Sequence, residues 1–317
     1  MRYRANGYAP SLSVVAPTGS RDAFYVKIDK HYGSSDHVTY MQHGIPSVMF
    51  ITWPDMWYHS SQDTPDKQDP TQYKRAAVVG IGAMTAIATG TDEAAGRITS
   101  ENYGRGSERI GEAARKGAAY LADAADAASL AAAYKDARVT VRHQAAVEKA
   151  VIRSSSVLYE DPAAAPARLA SLEAAIDKTL ALRYDELRAL YAVHAPGVQA
   201  PELTAARWPP MTPDEDKASR LVVECVNEAT RSGCAAAGGR GGGRGGGRGG
   251  AAAGPSLPQH MNAELTILLG QGKTVLEIRD FLTGEFEPVP LADVMAVLEA
   301  RAAAGTIKLV PKVPVKK

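Results

Sequence analysis

The chain has 317 residues, enough for two or three domains, and its formal net charge of +1 gives no electrostatic reason to expect a nucleic-acid or membrane partner. No stretch approaches the ~20 apolar residues of a membrane span, and the N-terminus lacks the apolar core of a signal peptide. As written, the sequence therefore indicates a cytoplasmic protein, and its two cysteines, Cys225 and Cys234, favour free thiols over a single bridge.

The first predicted unit, residues 1–92, mixes short apolar runs with glycine and proline. Strands are predicted over residues 11–16 and 47–52. The second strand is continuously apolar from Val48 to Ile51. A continuous apolar strand is typical of a sheet that is covered on both faces, which predicts an α/β fold for this unit.

A helix is predicted from Pro70 to about Ala88. Asp69 is a suitable N-cap and Pro70 a suitable first helical residue. The apolar side chains that follow recur at helical spacing, at Ala77, Val78, Ile81, Met84 and Ile87.

Residues 101–195 are rich in helix-forming Ala, Leu, Glu, Arg and Lys. One long helix, or a broken pair of helices, is predicted over about 107–157, and another from about Pro166 to Val193. A proline-containing turn separates them. We therefore expect an antiparallel helical hairpin over residues 101–195, able to pack against the α/β unit.

Residues 196–258 are predicted to be a linker, with a disordered Gly/Arg-rich stretch over residues 235–254. A small module follows over residues 259–317. It contains a capping box, Thr274-x-x-Glu277, and further helix signals, with Gly305 ending the last helix before a strand. The order helix, helix, helix, strand predicts a small winged-helix-like α+β module.

Two features resemble nucleic-acid sites, and the sequence disfavours both. The Gly/Arg stretch has no interleaved aromatic residue, so a flexible tether is favoured over RNA binding. It carries three arginines, Arg240, Arg244 and Arg248. The last helix of the terminal module has Asp293 and Glu299 against Arg301, which makes a poor surface for phosphates.

The residues that indicate catalysis lie between Gly33 and Asp69. A histidine, His59, follows the apolar strand in a short loop with aromatic and carboxylate neighbours. In open α/β sheets ligands collect outside the carboxyl ends of strands, and a neutral imidazole there is a suitable zinc ligand. A nearby carboxylate such as Asp63 could hold the other ring nitrogen. From the residues alone, an ordinary surface or hydrogen-bonded histidine is the competing interpretation.

Three motifs in this stretch follow one another closely: Ser35-Asp36-His37, then Gly44-Ile45-Pro46, then Tyr58-His59-Ser60-Ser61-Gln62-Asp63-Thr64. Together they resemble the end of the co-catalytic di-zinc aminopeptidases, metallopeptidase family 28, whose fold relatives include the glutaminyl cyclases. The resemblance covers about residues 5–92. It implies the C-terminal part of a zinc-exopeptidase-like α/β domain.

The resemblance also implies roles for individual residues. His59 would be the terminal ligand of one zinc ion, and Tyr58 would donate a hydrogen bond to the oxyanion of the tetrahedral intermediate. Asp36 and His37 would line or buttress the site. Asp63 would support the zinc ligand His59 without binding the metal itself. The implied reaction removes residues from the free N-terminus of a peptide, with two zinc ions and a glutamate base.

The sequence departs from this family pattern at the other metal ligands. Only 32 residues precede Gly33, and they contain no Glu-Glu pair and no histidine before His31. Asp22 and Asp29 are the aspartates there, and neither lies in a ligand motif. We therefore expect that the chain alone retains neither the two zinc ions nor peptidase activity.

Three explanations remain open for this departure: a truncated or mis-started gene, a missing N-terminal half supplied by a partner chain, or a non-catalytic remnant. The competing function is a non-enzymatic interaction protein built from the helical hairpin and the terminal module. Members of the family are usually exported, so the localisation stays open. An apolar strand without its sheet neighbours also predicts that the isolated chain is poorly soluble.

Overall fold

A computed structural model describes most of the chain, namely residues 14–28, 35–43, 45–203, 209–226 and 257–312. Over these residues the protein is mostly helical, with one two-stranded antiparallel sheet. The buried apolar side chains form two cores, one in a helical bundle and one in a C-terminal module. In the described part of the chain, no helix has the length and apolar character needed to cross a membrane.

The N-terminal region contains two α-helices, α1 at His37–Gln42 and α2 at Pro70–Ala88. The predicted helix is confirmed, including its cap, because the Asp69 carboxylate accepts a hydrogen bond from the amide of Thr71. A single 3₁₀ turn, Pro65–Lys67, lies just before it.

The predicted strand over residues 47–52 does not form. Most of its side chains are exposed, and Val48 retains 80% of its accessible surface. A strand needs a neighbour for its backbone hydrogen bonds, and the described residues supply none beside this run. The other predicted strand, over residues 11–16, is not observed in its described part. Residues 14–16 are not in a strand, and residues 11–13 lie outside the described ranges.

Helix α2 is fastened to the preceding chain at its first turns. Asp69 Oδ1 accepts a second hydrogen bond, 2.9 Å long, from the amide of Ser20. The Arg75 guanidinium donates to the carbonyl oxygen of Asp22 at 2.7 Å and lies over the ring of Phe24. These contacts hold the stretch around residue 20 against the start of α2 and leave the rest of the helix exposed.

The expected helical hairpin is a bundle of three helices: α3 at Asp92–Ala122, α4 at Ala127–Ser154 and α5 at Ala165–His194. The broken pair was the correct alternative, because a capping box between Asp126 and Ser129 starts a new helix. The first helix also begins earlier than predicted, with Thr91 as its N-cap. The shared core includes Ile110, Leu121, Leu130, Tyr134, Leu187 and Tyr191.

The C-terminal module begins upstream of the predicted boundary at residue 259. Its elements are α6 at Pro213–Ser219, β1 at Leu221–Cys225, α7 at Gln259–Leu269, α8 at Val275–Glu285, α9 at Leu291–Ala303 and β2 at Ile307–Pro311. Strand β1 pairs antiparallel with β2, with Val223 opposite Leu309. Residues 213–225 therefore belong to the module, and the prediction of a linker over all of 196–258 was wrong.

The local signals within the module are mostly confirmed. Thr274 and Glu277 form the predicted capping box, and Gly305 has a φ of 73° at the end of α9. The order of three helices and a strand is also observed, although the strand partner of β2 comes from before the helices in sequence. The winged-helix likeness stays a prediction, and the stretch over residues 235–254 lies outside the described residues.

The module packs on the bundle through α8 and α4. The Arg279 side chain, 8% exposed, donates to Asp136 at 2.8 Å and to Glu215 at 3.3 Å. Burial raises the pKa of Asp136, and burial likewise raises the pKa of Asp280 beside it. The bundle therefore packs against the C-terminal module. The sequence predicted instead that the bundle could pack against the N-terminal unit.

Cys225 lies at the end of β1 and is disulfide-bonded. The prediction of free thiols was therefore wrong for this cysteine. Spacing alone gave no geometric criterion for pairing, and Cys234 lies outside the described residues.

Candidate active site

Tyr58 and His59 lie in a compact loop between the apolar run and α2. Backbone turns shape this loop, with the amide of Ser60 donating to the carbonyl of Trp57 at 3.0 Å. The Ser60 hydroxyl donates to the same carbonyl at 2.6 Å, and the Asp55 carboxylate accepts from the Trp57 amide at 2.9 Å. Short polar side chains thus close the loop by bonding to nearby backbone groups.

The rings of Tyr58 and His59 stack on each other, with centroids 3.8 Å apart and planes 18° from parallel. Trp53 meets Tyr58 edge-on at 5.6 Å. His59 has a φ of 57°, in the left-handed region that non-glycine residues rarely adopt. This backbone conformation and the stacking fix the direction of the imidazole, which remains exposed to solvent.

The other predicted site residues lie in two places, and of them Asp36 and Asp63 are exposed while His37 is half-buried. Asp36 and His37 lie at the start of α1, where the carbonyl of Asp36 accepts from the amide of Thr39 at 3.0 Å. Asp63 is exposed in the same loop as His59, with its amide bonded to the carbonyl of Ser60. Within the described residues no hydrogen bond joins the Asp63 carboxylate to the His59 ring, and the supporting role of Asp63 stays a prediction.

A pair of zinc ions would need several donor side chains close to His59. In the ranges that the structure describes, no group of three or more His, Cys, Asp or Glu side chains is placed to hold a metal ion. One exposed imidazole cannot hold two ions, since each catalytic zinc needs about three protein ligands. The described residues therefore do not fit a di-zinc centre.

Besides metal ligands, the segment around His59 lacks a glutamate that could act as the general base. Residues 11–83 contain no glutamate, and the first glutamate of the chain is Glu93. Glu93 lies in the first turn of α3 and pairs with Arg97 at 2.7 Å on the exposed surface. The segment with the candidate ligand thus has no glutamate of its own to serve as a base.

Long-range contacts that hold residues 16–20 against the start of α2 were not predicted from the sequence. Asp69 was identified only as a helix cap, yet it also binds the amide of Ser20, and Thr71 accepts a hydrogen bond from the amide of Ala16 at 3.1 Å. Gly19 passes so close to Thr71 that a side chain there would collide with its hydroxyl. These contacts span about fifty residues, and nothing in local spacing indicates them.

The motifs around this loop point to a segment of a metallopeptidase, and the comparison with known families agrees for that segment. Residues 11–83 match the sequence model of peptidase family M28, and that segment of the chain belongs to this family. All five predicted site residues, Asp36, His37, Tyr58, His59 and Asp63, lie inside the matched segment. No curated protein and no solved structure matches the chain.

Proposed function

We propose that this chain is the C-terminal portion of a zinc-dependent aminopeptidase that hydrolyses N-terminal peptide bonds. The family match over residues 11–83 carries this proposal, because it contains the whole Tyr58-to-Thr64 motif. The family is generally zinc-dependent, and His59 would be one zinc ligand. Tyr58, stacked on that ring, would donate its hydroxyl hydrogen to the oxyanion.

We further propose that the chain by itself is inactive and retains no zinc pair. Two observations support this part: the described residues gather no three-donor metal group, and residues 11–83 lack a glutamate. The remaining donors would come from polypeptide that is not in this sequence, either a missing N-terminal half or a partner chain. The peptide substrate would bind to the completed site.

The first experiment measures metal and activity in the full chain. Zinc content after equilibrium dialysis and hydrolysis of leucine p-nitroanilide are compared for the wild type, His59→Ala and His43→Ala. His43 is a matched control, an exposed histidine in the same segment that lies outside the motif. We expect no hydrolysis above background from any of the three. Hydrolysis by the wild type that is lost in His59→Ala but kept in His43→Ala would show a complete site and overturn the proposed inactivity.

The second experiment tests whether the segment is still competent. In an active M28 aminopeptidase, the segment that aligns with residues 11–83 is replaced by that of this chain. We expect an active chimera that loses about a hundredfold or more in kcat on His59→Ala or Tyr58→Phe and is unchanged by His43→Ala. An inactive but folded chimera would identify the segment as a non-catalytic remnant.

One observation favours a second candidate function, a non-catalytic interaction protein. Both hydrophobic cores lie in the bundle and the C-terminal module, outside the matched segment. The best-packed parts of the chain are therefore those without a peptidase counterpart. The folded, inactive chimera would support this alternative.

A further inference from the structure

A cavity lies at the junction of the helical bundle and the C-terminal module. Among the described residues it has a volume of about 430 Å³, which is within the size range of small-molecule sites. Its walls come from α4 and α5 of the bundle, from α6 and α8 of the module, and from the segment that precedes α6. Ligand sites occur preferentially at such junctions between folded units. The cavity therefore has the size and the position of a small-molecule site.

Positively charged side chains are concentrated around this cavity. Helix α4 contributes Lys135, Arg138 and Arg142, which lie on one face of the helix because they are three and four residues apart. A fourth basic side chain, Arg279, comes from α8. Like charges at this spacing on a helix repel one another and destabilise it. Bound negative charge in the cavity would offset that repulsion.

Carboxylates of the protein neutralise most of this charge. Three of the four basic side chains form ion pairs at 2.7 to 2.8 Å: Lys135 with Glu215, Arg142 with Asp280, and Arg279 with Asp136. Three carboxylates against four basic side chains leave these seven groups with one net positive charge. A ligand that brings negative charge into the cavity therefore meets a favourable field.

The fourth basic side chain, Arg138, lies over flat aromatic surfaces. Its guanidinium carbon is 4.1 Å from the centroid of the Tyr184 ring and 5.9 Å from that of the Tyr134 ring. Two apolar side chains, Val139 and Leu276, also line the cavity. A ligand with a flat apolar body can pack on these surfaces while its negative charge reaches the guanidinium groups.

We propose that this cavity binds a small organic molecule that combines an aromatic ring system with an oxyanion, either a carboxylate or a phosphate. The oxyanion accepts hydrogen bonds from Arg138 and Arg142, since a guanidinium donates two parallel hydrogen bonds to such a group. The ring system packs between Tyr184 of the bundle and Leu276 of the module. This binding site does not depend on the peptidase proposal, because none of its residues lies within residues 11–83.

The test is isothermal titration calorimetry of the full chain with two complete probes and two partial ones. Naphthoate combines a ring system with a carboxylate, and adenosine monophosphate combines one with a phosphate. Naphthalenemethanol has the ring system without the anion, and inorganic phosphate is the anion without the ring system. We expect at least one complete probe to bind one molecule per chain, and both partial probes to bind more weakly by about tenfold or more. The complete probe that binds identifies the oxyanion as carboxylate or phosphate.

Variants of the full chain locate the bound probe. Arg138→Gln and Arg142→Gln should each weaken the complete probe by about tenfold or more, because each removes charged hydrogen bonds to the oxyanion. Tyr184→Leu keeps the charges and should weaken binding through the ring system alone. Arg153→Gln is the matched control, since Arg153 lies farther along α4, pairs with Glu173 and does not line the cavity. It should bind the probe like the wild type.

Three results would overturn the proposal. The first is that neither complete probe binds at millimolar concentration. The second is that binding is unchanged in both Arg138→Gln and Arg142→Gln, because the probe then lies elsewhere on the chain. The third is that a partial probe binds as tightly as the complete one, because the ring system or the anion then contributes nothing. Arg142 is exposed, so Arg142→Gln is expected to fold even if Arg138→Gln does not.

Discussion

A buried carboxylate, Glu148, forms an ion pair between α3 and α4 of the bundle. The Glu148 side chain is 2% exposed and accepts two hydrogen bonds of 2.7 Å from Arg109, through Nε and Nη2. Gln144 donates a third, at 2.6 Å. Gly106 leaves room for the carboxylate, since a Cβ there would lie 2.7 Å from its oxygen. The hydrogen bonds to Glu148 in turn raise the pKa of Arg109.

Replacing Arg109 with methionine should lower the free energy of unfolding by about 2 kcal/mol, because Glu148 would stay buried without its cation. The cost falls below the full buried-pair range because Arg109 is partly exposed and Gln144 still donates to the carboxylate. Urea denaturation would measure it. Arg105→Met is the matched control on the same helix, whose pairs with Glu101 and Glu108 are exposed and should contribute little. Equal losses in both variants would contradict this account of Glu148.

The candidate site shows which parts of a residue's role can be predicted from the sequence. The Tyr58-His59 motif could be recognised because its residues are adjacent, and the family match confirms the family assignment. The left-handed φ of His59 and the stacking of the two rings could not be predicted, because they depend on how the loop closes. Whether further donors meet His59 depends on polypeptide far away in sequence, which spacing does not report.

At the scale of elements, close packing of the three long helices depends on where glycine lies on α3. A Cβ added at Gly117 would lie 2.9 Å from the Cβ of Ala137 on α4 and 3.3 Å from Leu187 on α5. At Gly104, on the same helix, a Cβ would meet nothing within 4 Å. The first glycine is therefore required by the contact, and the second only lowers helix stability.

These two glycines give opposite predictions for the same substitution. Gly104→Ala should raise the melting temperature, since alanine is more favourable than glycine in a helix by up to about 1 kcal/mol. Gly117→Ala should lower it, because the overpacked α3–α4 contact costs about 1–3 kcal/mol, more than the gain in helix propensity. Thermal unfolding followed by circular dichroism compares the two. A stabilised Gly117→Ala would mean that α3 and α4 are less tightly packed than described.

Helices were predicted better than strands for a physical reason. In α2 and α8, each hydrogen bond and each cap joins residues that are close in sequence. The cap residues Asp69 and Thr274 therefore predict where these helices begin. The run over residues 47–52 has the composition of a buried strand, but a strand forms only beside a partner. Helix α6 was overlooked although Thr212 and Glu215 form a capping box, because the region containing the Gly/Arg-rich stretch was predicted as one linker.

At the scale of the whole molecule, the path of the chain changes the interpretation of the Gly/Arg stretch. Strand β1 comes before it and β2 well after it, and the two pair in one sheet. Ala218 and Val223 from the upstream side share a core with Met261 and Leu298 from the downstream side. Residues 227–256 therefore connect two parts of a single folded module, whereas the sequence alone favoured a tether between separate units.

This topology predicts which fragments and deletions of the chain keep a stable fold. A fragment of residues 257–317 lacks β1 and α6, leaving β2 without a partner and the core open where Val223 was buried, so it should not unfold cooperatively in urea. Deleting residues 238–250 from the full chain, by contrast, only shortens a connection and should change the free energy of unfolding by about 0.5 kcal/mol or less. Cooperative unfolding of the isolated fragment would restore residues 259–317 as an independent module. A large loss of stability on deleting residues 238–250 would instead show that the stretch packs on the fold.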